Sequence, residues 1–453
     1  MDRVGGSSPL CIRCKRGAPG CNDSVGQAVA IVARHGRVTP GRRRTAKRRP
    51  SAPHPQATSV RGVHDRRTVR YPIDFGLTEV KLALGGTMTL AEALANHTCR
   101  GELYESLEGN RIRCLACGHR CPIPAGFAGA CKIRFNRQGT MRVPYGYVST
   151  LQCDPIEKKP FYHAIPGMMA LSFGMLGCCF HCDFCQNWAI SQTFRDFRST
   201  TEFREITAQE IVRFALAAKA SAVVSTFNEP LITAEWAAEI FRQAHAAGLV
   251  TGFVSNGNAT PEALAYLRPY LDLFKVDLKT MDDGRYHRLG GRVKPVLESI
   301  AAIFALGYWL EVVTLVVPGF NDSPEELRAI ARFLCAISPD IPWHVTAFHP
   351  SYRMMSAENT GVQALTRAAG IGREAGLRYV YAGNLDGQAG DLGNTLCASC
   401  GELLIERQGF RLVRMRVTPG GGCSACEARV PGVWQSDIGR PAPHETLIHN
   451  RCG

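Results

Sequence analysis

The stretch MALSFGMLGCCFHCDFC, residues 169–185, decides how the chain can fold and what it can bind. Its first half, Met169–Leu176, is an apolar run typical of a buried strand. Its second half places Cys178, Cys182 and Cys185 at C-x3-C-x2-C spacing. Three thiolates on one loop can hold three corners of a cubane iron–sulfur cluster, whereas ferredoxin-type cubanes use four cysteines. The sequence therefore predicts a strand followed by a cluster-binding loop that leaves one iron open to a ligand.

Further apolar runs follow at intervals that suit strands separated by helices. Thr207 with Glu210, and Thr260 and Ser323 each followed by proline, are typical helix starts. This alternation predicts an α/β fold with a parallel sheet and right-handed crossovers, and six or seven units favour a partial (β/α)6-type barrel over a complete one. The predicted strands are Met169–Leu176, Ser221–Phe227, Val250–Ser255, Leu271–Leu278, Leu310–Val317, Trp343–Phe348 and Leu377–Ala382.

Polar residues gather where these strands end. In parallel α/β folds the carboxyl ends of the strands line one face, where ligands bind. Each residue alone has an ordinary explanation, such as a turn, a surface ion pair or a core histidine, and for His349 the core role is as plausible as a functional one. Their equivalent positions predict one site. The candidates are Asn228, Glu229, Asn256, Asp277, Lys279 and His349.

Four cysteines precede the first predicted strand, at C-x2-C-x3-C-x9-C spacing with glycines and a proline between them. Four thiols this close on a turn-rich segment can converge on one tetrahedral ion. Zinc and an auxiliary iron–sulfur cluster are both chemically reasonable, and four buried free cysteines are the alternative. The residues are Cys114, Cys117, Cys121 and Cys131.

Two C-x2-C pairs near the other end of the chain are separated by a hairpin-like stretch, Leu403–Val417. This pattern predicts a zinc-ribbon or rubredoxin-like module with zinc as the default ion, against the alternative of a hairpin without metal. Four thiolates leave no open coordination position, so the ion is expected to be structural. The predicted ligands are Cys397, Cys400, Cys423 and Cys426.

Composition limits the classes of partner. The net charge of +14 is concentrated in residues 1–70, which hold 16 Lys and Arg against 3 Asp and Glu, whereas the rest of the chain holds 37 against 36. The balanced remainder does not favour nucleic acid as a partner. Apolar runs are too short to span a membrane, and clustered thiols that bind metal need a reducing compartment, so we expect a cytoplasmic protein.

The same patterns divide the chain into five parts. The basic first segment is expected to be disordered, although a transit peptide, a nucleic-acid-binding arm or an internal true start are alternatives. The parts are a basic tail (1–75), a four-cysteine region (76–165), the partial barrel (166–390), a ribbon module (391–435) and a tail (436–453).

The motif Cys178–Cys185, with aromatic Phe184 before its last cysteine, resembles the defining motif of radical S-adenosylmethionine (SAM) enzymes. The flanking run Gly177–Ser191 and the upstream run Asp154–Pro160 look like the radical SAM member of the AmmeMemoRadiSam system, which is related to pyruvate formate-lyase activating enzymes. The resemblance covers roughly residues 100–435. One departure is Cys179, where relatives usually carry Asn, and a fourth thiol beside the cluster could disturb ligation.

The resemblance implies a [4Fe–4S] cluster on the three cysteines, with SAM chelating the fourth iron. One electron, from a donor such as flavodoxin or ferredoxin, would break the S–C5′ bond, and the resulting radical would take hydrogen from a substrate. By chemical need, Asn228 and Glu229 suit the SAM amino group and Asn256 the ribose. Asp277 with Lys279, and His349, resemble residues that contact SAM or the hydrogen-transfer region in activating enzymes.

Three functions remain open from the sequence. The first is activation of a protein substrate by hydrogen abstraction, and the second is radical modification of a small molecule. The third is a non-enzymatic iron–sulfur or zinc protein that carries electrons or binds nucleic acid. A carrier requires four protein ligands to the cubane and no cleavage of SAM, whereas nucleic-acid binding requires an affinity that falls with salt.

Overall fold

A computed structural model describes residues 90–199, 201–385, 388, 390–434 and 437. The predicted basic tail, 1–75, and nearly all of the predicted tail at 436–453 lie outside these residues. The described chain forms an N-terminal region of short strands, a central sheet with helices, and a C-terminal hairpin module.

The N-terminal region begins with helix α1 (Leu90–Ala95) and continues as short antiparallel strands. Two three-stranded sheets have the orders β1-β6-β5 and β2-β3-β4, and β7 pairs with the later strand β10 (Arg204–Glu205). The strands are β1 (Thr98–Arg100), β2 (Tyr104–Ser106), β3 (Ile112–Cys114), β4 (Pro122–Ile123), β5 (Phe135–Arg137), β6 (Thr140–Pro144) and β7 (Tyr147–Val148).

The central sheet has eight strands in the order β16-β15-β14-β13-β12-β11-β9-β8. Seven are parallel and correspond to the seven predicted strands, which are thereby confirmed; β8 is antiparallel to β9 and forms one edge. The sheet is open, with β8 and β16 as its end strands. Its strands are β8 (Thr150–Pro155), β9 (Met169–Gly174), β11 (Ala222–Ser225), β12 (Val250–Ser255), β13 (Leu273–Asp277), β14 (Trp309–Val316), β15 (Trp343–Ala347) and β16 (Val380–Gly383).

Helices connect the parallel strands, and three of them start at the predicted caps. Thr207 and Glu210 form a reciprocal capping box, and the side chains of Thr260 and Ser323 accept hydrogen bonds from backbone N–H groups of their helices. The helices are α2 (Trp188–Ser191), α3 (Ala208–Ala217), α4 (Ala234–Ala246), α5 (Pro261–Leu267), α6 (Asp283–Arg288), α7 (Val293–Ala305), α8 (Pro324–Ile337) and α9 (Val362–Glu374). None of these helices in the described part of the chain combines the length and apolar character needed to cross a membrane.

A buried ion pair fastens the N-terminal region to the central layer. The guanidinium of Arg134 donates to both carboxylate oxygens of Glu235 on α4, at 2.6 and 2.8 Å. Both side chains are almost fully buried, at 1% and 3% exposure. The same carboxylate accepts from the backbone N–H groups of Glu102 and Leu103, so one acid holds two segments of the N-terminal region against the helix.

The C-terminal module is a hairpin of β18 (Leu403–Gln408) and β19 (Arg411–Met415), preceded by the short strand β17 (Thr395–Leu396). This confirms the predicted hairpin-like stretch. Arg407 anchors it to the central layer by donating to the backbone carbonyl of Tyr162 at 2.7 Å. The hairpin therefore lies against the segment that joins β8 to β9.

Candidate active site

The three-cysteine loop follows β9 at the carboxyl edge of the sheet. Gly177 turns the chain with φ +88°, a conformation that glycine adopts without strain. The loop is then held from outside, because Arg195 donates to the carbonyl of Cys178 at 2.9 Å and the N–H of His181 donates to the carbonyl of Leu289 at 2.9 Å. These two hydrogen bonds position the loop at the end of the strand.

A cavity of about 330 Å³ opens at this edge of the sheet. It is lined by all three motif cysteines and by five of the six polar candidates. His349 is the exception: its Nε2 lies 3.0 Å from the backbone carbonyl of Asn384, and it is Asn384 that reaches the cavity. The predicted residues that share the cavity are Cys178, Cys182, Cys185, Asn228, Glu229, Asn256, Asp277 and Lys279.

The sulfur set fits a cluster better than a single ion. Among the described residues, two groups of possible metal ligands have all their ligand atoms within 4.8 Å of one another. Cys178, Cys182 and Cys185 do not form such a group, so their sulfurs are spaced more widely. In a cubane each cysteine binds a different iron, so wider spacing is expected. Burial raises the pKa of Cys182 to about 12, opposed by the charge of Lys279. Such a thiol becomes a thiolate when a cationic metal centre compensates its charge.

Glu229 is a deeply buried acid at the cavity, with 2% exposure. Its carboxylate accepts from the N–H of Asn256 at 2.7 Å, the hydroxyl of Ser255 at 2.7 Å and the N–H of Leu231 at 3.0 Å. Burial raises its pKa to about 7, despite these donors. A carboxylate tied to the ends of β11 and β12 can receive an amino group without moving.

The two asparagines use part of their hydrogen-bonding capacity to join loops. Asn228 Oδ1 accepts from the N–H of Met175 at 3.0 Å, which connects the end of β11 to the cysteine loop. Asn256 Nδ2 lies 3.2 Å from the sulfur of Cys179, and its Oδ1 accepts from the N–H of Asn258. Both residues therefore shape the cavity wall in addition to lining it.

A charged row on β13 and just after it includes Lys275, which was not among the candidates predicted from the sequence. Lys275 Nζ lies 2.5 Å from Asp277 Oδ1, and Lys279 Nζ lies 3.8 Å from Asp277 Oδ2. All three line the cavity. Burial would lower the pKa of Lys279, but the charges of Asp277 and Cys182 outweigh it and raise that pKa. The alternation Lys-x-Asp-x-Lys was the available signal, because residues two apart on a strand share a face.

The four cysteines predicted to form the C-terminal metal site lie close together. The sulfurs of Cys397 and Cys426 are 3.7 Å apart, those of Cys400 and Cys423 are 3.8 Å apart, and all four lie within 4.8 Å of one another. Four converging thiols are a suitable tetrahedral donor set. The identity of the metal remains a prediction.

The four N-terminal cysteines are spaced too widely to share one tetrahedral ion in this arrangement, whereas an auxiliary iron–sulfur cluster on them stays a prediction. Cys114, Cys117 and Cys131 are buried and Cys121 is partly buried, but in the described part of the chain these four sulfurs do not form one set within 4.8 Å. Cys117 instead groups with His119, a residue the sequence reading passed over, and with Cys179. The spacing Cys-x-His was a local signal for the histidine, whereas the contact with Cys179 depends on the fold.

Comparison with known proteins defines the family. The model of the radical SAM superfamily matches residues 174–334, which contain the cysteine loop and strands β11–β14. An uncharacterized protein of Methanocaldococcus jannaschii, MJ0808, is 36% identical over 309 residues, which cover 68% of this chain and 91% of that protein. The chain belongs to the radical SAM superfamily. Membership implies a [4Fe–4S] cluster, SAM and an electron donor.

Some relatives are activating enzymes. The benzylsuccinate synthase activating enzyme of Thauera aromatica is 29% identical over 151 residues, 30% of this chain and 44% of that protein. The isethionate sulfite-lyase activating enzyme of Oleidesulfovibrio alaskensis is 26% identical over 161 residues, 34% of this chain and 50% of that protein. The chain thus spans about half the length of these homologues or less.

A solved domain of a pyruvate-formate lyase-activating enzyme from Bacteroides vulgatus also matches, with a TM-score of 0.33 and 17% identity. The match covers 36% of this chain and 100% of that chain.

Proposed function

We propose that this protein is a radical SAM enzyme in which Cys178, Cys182 and Cys185 hold a [4Fe–4S] cluster with one iron left for SAM. When bound, the reduced cluster and SAM supply one-electron cleavage of the sulfonium and hydrogen abstraction from a substrate. The observation that carries the proposal is the single cavity shared by three motif sulfurs and the polar ends of β11, β12 and β13. A four-ligand electron carrier does not need such a cavity.

The polar residues orient SAM and adjust the charge around the cluster. Glu229 and Asn228 would accept hydrogen bonds from the amino group of SAM, and Asn256 would bind the ribose hydroxyls. Lys275 and Lys279 flank Asp277, and the charge of Lys279 favours the thiolate forms of Cys182 and Cys185. Positive charge stabilises thiolates in a buried site.

A protein is the substrate class that we favour, by analogy with the activating relatives, and a small molecule is the alternative. Assignment to the AmmeMemoRadiSam group belongs to the same proposal and rests on the runs Gly177–Ser191 and Asp154–Pro160. A curved, partial-barrel sheet, a structural zinc on Cys397, Cys400, Cys423 and Cys426, and a reducing cytosolic compartment complete it. Metal-binding thiolates are sensitive to oxidation and therefore require a reducing compartment.

Anaerobic reconstitution tests the proposed function. The full chain is loaded with iron and sulfide, reduced with dithionite and given SAM. We expect deoxyadenosine and methionine in equal amounts, and deuterium transfer from a labelled substrate into deoxyadenosine identifies the target. A loaded cluster that never yields deoxyadenosine, with all its irons ligated by the chain, overturns the proposal.

Binding of SAM is expected to depend on the ionisation of Glu229. Its pKa of about 7 means that the carboxylate is largely protonated at pH 6 and largely ionised at pH 8. Because the ionised form is the better hydrogen-bond acceptor for an amino group, SAM should bind about tenfold more weakly at pH 6 than at pH 8. Anaerobic calorimetry on the cluster-loaded protein measures the two dissociation constants.

The matched control for this dependence is Glu229→Gln, which keeps the shape but has no ionisable group. Any pH effect that remains in this variant comes from SAM or from groups other than Glu229. Equal pH profiles in the two proteins would show that Glu229 does not receive the amino group.

A further inference from the structure

A second group of metal-binding side chains lies beside the cysteine loop. Cys117 Sγ, His119 Nδ1 and Cys179 Sγ all lie within 4.8 Å of one another. The first two residues come from the segment between β3 and β4, and the third comes from the loop after β9. Both cysteines are buried and the histidine is half-buried. Chain segments far apart in sequence thus converge on one point.

The histidine is already oriented as a ligand. His119 Nε2 lies 2.7 Å from the backbone carbonyl of Gly290, so it is the protonated nitrogen that donates to this carbonyl. Its Nδ1 therefore carries the lone pair, and it faces Cys117 Sγ at 3.6 Å and Asn258 Nδ2 at 3.0 Å. Metal-binding histidines are commonly fixed in this way, with the distal N–H donating to a backbone carbonyl.

We propose that Cys117, His119 and Cys179 hold one divalent cation of the zinc type. Two thiolates and one neutral imidazole are a soft donor set suited to zinc, and the two negative charges balance the ion in a buried place. Binding releases the two thiol protons and involves no oxidation or reduction. Water, or the amide oxygen of Asn258 after rotation of the side chain, completes the tetrahedron.

This site would prevent Cys179 from competing with Cys178 for the iron–sulfur cluster. Cys179 directly follows Cys178, so an unoccupied thiol there lies beside the sulfur that binds the cubane. An ion shared with Cys117 and His119 occupies that thiol and keeps the cluster to three cysteines. It also fastens the N-terminal region to the cluster loop. A single ion shared by Cys114, Cys117, Cys121 and Cys131 is incompatible with this proposal, because Cys117 belongs to the new site.

Zinc content and zinc-edge X-ray absorption of the full chain test the proposal. The spectrum is recorded in a Cys397→Ser/Cys400→Ser background, which removes two ligands of the C-terminal set. We expect the remaining zinc to have two sulfur ligands and at least one nitrogen. Introducing Cys179→Asn or His119→Ala should remove one equivalent of zinc per chain, whereas Cys114→Ser should leave it unchanged.

Iron content of each loaded variant is measured in parallel, so loss of the cubane is distinguishable from loss of zinc. Zinc bound by four sulfurs, or retained in Cys179→Asn and lost in Cys114→Ser, overturns the proposal. Absence of any zinc in the Cys397→Ser/Cys400→Ser protein also overturns it. If Cys179→Asn fails to fold, the ligand set read from the background spectrum decides.

Discussion

Replacing Cys182 by Ala is expected to remove the iron–sulfur cluster and with it all cleavage of SAM. Cys182 is buried in the cavity wall, and the two cysteines that remain cannot hold a cubane. Activity should fall by at least about 10⁴-fold, the order of loss seen when one member of a catalytic unit is removed. Iron, sulfide and deoxyadenosine are measured after anaerobic reconstitution of the full chain.

Cys335→Ala is the matched control, because Cys335 is a partly buried free cysteine on α8 and does not line the cavity. This variant should keep its iron and its cleavage of SAM. A Cys182→Ala protein with the iron and sulfide content of the parent would contradict the assignment of the cluster ligands.

Replacing Glu235 by Gln is expected to lower the free energy of unfolding by about 3–5 kcal/mol, because it leaves the charge of Arg134 buried and unpaired. Burial alone would raise the pKa of Glu235, but the charge of Arg134 outweighs it and lowers that pKa. The contribution of the pair is therefore fully present above the ordinary carboxyl pKa and is lost as the pH falls through the lowered value. Anaerobic urea titration followed by circular dichroism measures the change.

An exposed pair supplies the control. Arg113 and Glu105 pair with 42% and 46% exposure, so Glu105→Gln should cost less than about 1 kcal/mol. The double replacement Arg134→Met and Glu235→Leu should recover part of the loss, since it removes both charges. A Glu235→Gln protein no less stable than Glu105→Gln would show that the buried pair does not hold the N-terminal region in place.

The parts of the fold that sequence could predict are those set by local physics. Long apolar runs such as Val250–Ser255 have few alternatives to a buried strand, and Thr207 with Glu210 satisfies the first backbone donors of a helix within four residues. Strand β8 was missed because Thr150–Pro155 is a partly exposed edge strand without an apolar run. Its place depends on pairing with β9, which no local pattern reveals.

The candidate site divides in the same way. Parallel strands bring their carboxyl ends to one edge, which is why Glu229 and Asn256 could be placed together before any coordinates. His349 also follows the end of its strand, β15, but its side chain contacts the backbone carbonyl of Asn384 and does not line the cavity. The four N-terminal cysteines show the limit of sequence spacing. Their spacing suggests that all four bind one metal centre, but Cys117 lies beside Cys179, and that contact depends on the packing of segments distant in sequence.

The tip of the C-terminal hairpin has a consequence for how this enzyme fails in air. Phe410, at the turn between β18 and β19, lines the same cavity as the motif cysteines. The four converging thiols of this module include Cys400 and Cys426, which are exposed to solvent. If these thiols hold a structural metal, as proposed, we expect their oxidation to loosen the hairpin and to displace Phe410 from the cavity even while the cluster is intact. Oxygen is therefore expected to inactivate the protein at two separate sites, the cluster and the C-terminal thiols, and anaerobic handling protects both.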